Sequence, residues 1–293
     1  MKSVTVMTSA VGAALLTIAV LLRHWQGSPT SVDFVESSKF LIWAVLLCAQ
    51  SVLWVVLAPP TWRSLRSLYS EVEGDRRVTV GLTLSAAALV ALVVGFEHFF
   101  TPYVPDYPLV DHRMKLGILT AAGFLVGLSA LAGMWLVEAV VERGLGGKPM
   151  EALVEYLRLR DELRRFLNTA AAIIAAATLS TGGLRAAVLA QVPDAEFPPE
   201  YVLYYGAFFS LLLALAYAPP MLACRAAGRR LSDALLPLPS AEPESWAKWH
   251  ENRAALEALM DLDAATSKGM RTGLALAAPL LGSAAGLLLG TGG

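Results

Sequence analysis

Glu97 and His98 stand side by side at the end of an apolar run, and Asp106, Asp111 and His112 follow in the next loop. Carboxylate oxygens and imidazole nitrogens are donors that a divalent cation accepts. Glu97, His98, Asp111 and His112 are therefore the candidate metal-binding residues. Their spacing matches no metal motif, and the plainer reading is a solvated rim at the mouth of the run. Glu97 with His98 is also the nearest approach to paired catalytic groups, the minimum an intramembrane enzyme needs.

Other catalytic signatures do not appear. "RGLGGKPM" lacks the Ser or Thr that a phosphate loop carries after its lysine, because Pro149 follows Lys148. There is no HExxH, GxSxG, kinase set or dinucleotide fingerprint. His24, His98, His112 and His250 are scattered, and neither Cys48 nor Cys224 has a CxxC partner, so neither a disulfide framework nor a zinc site is expected. No catalytic residue and no cofactor is assigned. A net charge of −1 leaves no footprint for nucleic acid.

A second chemistry is passage through a membrane. Asn168, Thr169, Ser180 and Thr181 are polar residues of one apolar segment and are the candidate lining of a path. In the same segment "LSTGGLR", Leu179 to Arg185, reads as the end of a span at Gly182, with a discontinuous, substrate-binding helix as the alternative.

These groups need elements to hold them, and composition says which kind. The 293 residues are 56% hydrophobic and 16% charged, with mean hydropathy +0.57, whereas soluble chains carry about 25% charge. The apolar residues come in blocks long enough to cross a hydrocarbon core of about 30 Å. Seven segments qualify, near 4–22, 40–58, 78–96, 116–137, 167–189, 202–222 and 272–290. The expected fold is a single all-α polytopic bundle spanning residues 1–293. The first segment is longer than a signal-peptide core and reads as a span, not a cleaved leader.

Lys and Arg orient the bundle. Eighteen of the 23 fall in the loops after spans two, four and six or at the amino terminus; five fall opposite. The rich side is expected in the cytoplasm, with the amino terminus inside and the carboxyl terminus outside. Pro59–Pro60 and Pro219–Pro220, each in front of arginines, read as the ends of spans two and six. The outer loops are mildly acidic.

Two helical extensions are expected on the cytoplasmic side. Residues 148–167 start with Pro149 near the helix amino terminus and lead into span five. Residues 243–271 place Trp246, Trp249, Leu256 and Met260 on one stripe, which docks on the bundle, lies in the lipid interface or faces a partner helix.

Helix packing is the clearest signal. Gly123, Gly127 and Gly133 in span four, and Gly282, Gly286 and Gly290 in span seven, have the spacing that lets helices approach closely. They serve either the chain's own packing or a homo-oligomer. The partners expected are thus the lipid bilayer, a second copy of the chain and a cytoplasmic protein. Three functions remain: a channel, pore-forming effector or small transporter first; a non-catalytic scaffold or sensor subunit as the alternative; an intramembrane enzyme third. The scarcity of charge inside the spans argues against proton-coupled transport and catalysis.

Overall fold

The computed structural model describes residues 2–100, 107–239, 243–262 and 267–291, with the side chains at 2–4, 92, 93, 96–100, 243–245, 267–269 and 289–291 outside the description. Among the described residues every regular element is helical. In chain order they are α1 (Lys2–Leu22), α2 (Pro29–Glu36), α3 (Ser38–Val72), α4 (Arg76–Phe100), α5 (His112–Arg143), α6 (Pro149–Gln191), α7 (Pro199–Leu235), α8 (Pro243–Met260) and α9 (Ser267–Thr291).

Local chemistry sets the helix starts. The Ser28 and Ser37 hydroxyls accept the amides of Ser31 at 3.2 Å and Phe40 at 3.1 Å, capping α2 and α3. The Asp75 carboxylate accepts the amides of Arg77 at 2.9 Å and Val78 at 3.4 Å, opening α4. The Arg77 amide and the Arg143 guanidinium hold that carboxyl below its ordinary value. Pro149 and Pro199 occupy first-turn positions of α6 and α7, where the missing N–H is no loss.

Among the described residues six helices are long and apolar enough to cross a membrane: Thr5–Gly27, Ser38–Val72, His112–Arg143, Pro149–Gln191, Pro199–Leu235 and Met270–Leu288. The chain is a multi-pass, helical integral membrane protein. The expected third span, 78–96, falls within α4, part of whose side chains lies outside the description.

Three sequence expectations are overturned. Pro59 and Pro60 do not end a helix, because α3 continues to Val72; Pro219 and Pro220 do not either, because α7 continues to Leu235. A proline removes one helical bond but is tolerated where neighbours and hydroxyls meet the freed groups. Past the prolines the turn is braced by the Thr61 hydroxyl, which donates to the Leu57 carbonyl at 2.7 Å, and by the Arg63 Nε, which donates to the Pro59 carbonyl at 3.2 Å. Neither does the fifth span end or break at Gly182, since α6 runs from Pro149 to Gln191 without interruption. Finally, 243–271 is not one helix: α8 stops at Met260, Asp261 takes a left-handed backbone with φ +59, and α9 begins at Ser267.

α6 is the axis, packing against α3, α5, α7 and α9. Its contact with α9 is a groove of small residues. A Cβ on Gly182 would stand 2.5 Å from the Gly286 Cα, and one on Gly282 would stand 2.5 Å from the Ala175 carbonyl oxygen. A Cβ on Gly206 of α7 would run into the Ser283 hydroxyl. Around Pro279 both flanks bond to α9: Thr178 Oγ1 donates to the Pro279 carbonyl at 2.9 Å, and Ser210 Oγ accepts the Leu280 amide at 3.2 Å.

At 43 residues, α6 is about 65 Å long, twice the hydrocarbon thickness. The surplus of α3, α6 and α7 lies on the arginine-rich side, where Leu68, Tyr156, Leu159, Cys224 and Leu231 extend the buried core. On the opposite side Phe34, Phe40 and Trp43 form an edge-on cluster with centroids 5.2–6.4 Å apart. There Lys115, fully buried, donates to the Leu21 carbonyl at 2.9 Å and closes the end of α1.

Candidate functional site: an apolar cavity and a pinned helical layer

Helices α3, α5, α6 and α7 do not close completely on one another. They leave a cavity of about 210 Å³, to which α4 contributes Leu89. Its walls are aliphatic and aromatic: Trp43 from α3, Phe124 from α5, Ile173 from α6, and Tyr205 and Phe209 from α7. Gly123 and Gly127 supply wall without side chains. Among the described residues no carboxylate, imidazole, amine or thiol lines it.

Gln50, Thr120, Ser180, Thr181 and the Tyr205 hydroxyl are polar groups of the lining among the described residues. Ser180 Oγ donates to Gln50 Oε1 at 2.8 Å, joining α6 to α3. Gln50 is 8% exposed and faces the cavity. Its amide nitrogen carries two further donors, which meet no acceptor among the described residues. One turn along α3, the Trp54 indole lies across Gly123, whose Cβ would stand 2.6 Å from the ring, and its buried N–H also has no partner among the described residues.

The path-lining candidates separate. Ser180 and Thr181 border this cavity, and Thr181 Oγ1 donates to the Ala177 carbonyl at 3.0 Å. Asn168 and Thr169 border a different groove near the arginine-rich side, with Leu53, Leu57 and Arg165.

The metal candidates separate too. Asp111 pairs with His24, Nδ1 to Oδ2 at 3.2 Å, both in left-handed backbone with φ +56 and +53. His112 instead stacks on Tyr107 at 4.0 Å, where burial pushes the Tyr107 phenol up. The side chains of Glu97 and His98 lie outside the described residues. Among the described residues no three His, Cys, Asp or Glu side chains group to hold a metal.

The glycines named from spacing make their close approaches within the chain. Gly123 meets Trp54, Gly127 faces Ile173 at 3.9 Å, Gly133 abuts the Phe166 ring, and Gly282 and Gly286 seat against α6. The surroundings of Gly290 lie outside the description.

The second feature is the layer on the arginine-rich side. Tyr156 and Arg160 of α6 donate to the carbonyls of Met260 at 3.1 Å and Leu259 at 2.7 Å. Arg164 pairs with Asp261. Arg158 holds Glu71 at 2.8 Å, linking α6 to the end of α3, and Arg253 of α8 holds Asp233 of α7 at 2.7 Å. Of the α8 stripe, Met260 is fully buried, Leu256 is half-buried, Trp249 is half-buried with its N–H on the Leu236 carbonyl at 3.2 Å, and Trp246 is 43% exposed.

Gln50, Trp54 and Tyr156 were not picked out from the sequence. A lone amide in the middle of an apolar run is the signal that identifies Gln50; nothing local marks its partner, 130 positions away. No protein-family model, curated protein or solved structure matches the chain.

Proposed function

We propose that the protein is a non-catalytic membrane sensor or scaffold subunit whose arginine-rich helical layer faces the cytoplasm and receives a protein partner. The observation that carries this reading is continuity. α3, α6 and α7 each pass as one helix from the membrane bundle into the layer. α6 carries Ser180 at the cavity and, beyond the bundle, Tyr156 and Arg160 on the carbonyls that end α8. A rigid element with two ends is what couples a membrane event to a cytoplasmic surface.

A conduit has less behind it, because its four polar candidates divide between two separate cavities. An enzyme has less still, because among the described residues the cavity is lined by no carboxylate, imidazole or thiol.

The test has two parts. In liposomes the purified protein should pass neither ions nor dye above the protein-free background. In native membranes, cross-linking should recover a protein partner that is lost with Trp246→Ala or Lys248→Glu on exposed positions of α8. Specific flux, or cross-linked partners indifferent to both substitutions, would overturn the reading.

A further inference from the structure

We infer that the cavity between α3, α5, α6 and α7 is a binding site for a neutral, lipid-soluble molecule that presents a carbonyl or similar acceptor to Gln50. The inference rests on the sensor reading only in supplying its input.

Size comes first. An apolar cavity of roughly 150 Å³ accepts a benzene-sized guest, and this one is about 210 Å³, room for one ring and a carbonyl, with any second ring reaching out through the gap that the helices leave. The lining comes second. Trp43, Phe124 and Phe209 offer aromatic faces, with Ile173 between them, so the guest is apolar over most of its surface. With no charged group among the described residues of the wall, a charged guest would lose its hydration without compensation there.

The Gln50 amide sets the chemistry. Gln50 is more than nine-tenths buried, and Ser180 already occupies its carbonyl. What remains for a guest is the amide N–H2, a donor pair aimed at an acceptor. A guest's carbonyl can accept from this amide, whereas a plain hydrocarbon cannot, and this distinguishes a ketone, quinone or ester. Gly127 gives a handle on the site. A Cβ there would meet only the Ile173 methyl at 3.9 Å, so a larger side chain grows into the cavity without forcing the helices apart.

The probe is benzophenone, a neutral two-ring ketone that forms covalent adducts with neighbouring C–H bonds under near-ultraviolet light. Intact protein in phosphatidylcholine nanodiscs is illuminated across a titration, and adducts are mapped by peptide mass spectrometry. The expected result is saturable labelling on the α5 and α6 cavity walls, abolished by Gly127→Leu. Gln50→Leu should raise half-saturation about tenfold, the effect of one ordinary hydrogen bond. Diphenylmethane, the same skeleton without the carbonyl, should compete about tenfold more weakly than unlabelled benzophenone against wild type and equally against Gln50→Leu. Unchanged melting of both variants establishes that they are folded.

Labelling that rises linearly, or that spreads over lipid-facing Leu41 and Leu125, would overturn the site. So would saturable labelling that survives Gly127→Leu. Indifference to Gln50→Leu would overturn the acceptor chemistry. Because no partner and no flux enters the measurement, its failure leaves the sensor reading to its own test.

Discussion

Gly182 of α6 and Gly286 of α9 lie backbone against backbone, so close that a Cβ on the first would stand 2.5 Å from the Cα of the second. Backbone cannot swing aside as a side chain can. Gly182→Ala should therefore destabilise the bundle by about 1–3 kcal/mol, the usual cost of overpacking. Gly127→Ala, with its nearest neighbour at 3.9 Å, should hold or raise stability, by up to about 1 kcal/mol from helix propensity. Reversible unfolding in micelles, followed by tryptophan fluorescence, separates the two; equal losses would contradict the packing described for α6 and α9.

Tyr156→Phe removes the donor to the Met260 carbonyl and leaves that buried oxygen unpaired. The expected cost is about 1–3 kcal/mol, concentrated at the end of α8. Hydrogen exchange should accelerate in the peptide spanning residues 253–262 and stay unchanged in α1.

The start of α4 should be acid-sensitive. The Asp75 carboxyl is held below its ordinary value, first by the Arg77 amide and then by Arg143. A lowered folded value means that the carboxylate's contribution is complete above the unfolded value, about pH 4, and is lost as pH falls through the folded value. Exchange at the Arg77 and Val78 amides, corrected for intrinsic rates, should rise in that window. Asp75→Asn should flatten the pH response.

Orientation is open to direct measurement. With Cys48 and Cys224 replaced by alanine, cysteines at exposed Glu36 and Lys248 should lie on opposite sides of the membrane. In intact cells a membrane-impermeant maleimide should label the position 36 variant and spare the position 248 variant. The reverse pattern would invert the cytoplasmic assignment.

What was legible in the sequence was whatever a single helix decides alone. Runs such as Leu41–Ala58 and Val202–Ala218 have nowhere to go but a bilayer, and Ser37 and Asp75 cap because their own neighbours offer amides. The misread stretches are those where another helix decides. Pro59 and Pro219 look like stops by their own hydrogen bonds. Gly182 and Gly183 look like a break until Gly286, Trp43 and Leu46 are set against them. In lipid an unwound turn would leave its amides unmet, so the helix persists and the glycines serve as contact surface. The cavity was illegible for the same reason: each wall belongs to a different helix, and only the crossing geometry brings Gln50 to Ser180.

The groove that seats α9 also has a bearing on the order of assembly. α6 and α7 are synthesised before α9, so the surface that receives it is complete before it arrives. Until then Thr178 and Ser210 lack the carbonyl and amide that they hold in the finished protein. The crevices at Gly182 and Gly206 meanwhile face whatever surrounds the nascent bundle. α9 then brings the Pro279 carbonyl and the Leu280 amide to those hydroxyls. Insertion of that helix completes the hydrogen bonding on both sides at once, and the chain closes in the direction in which it is made.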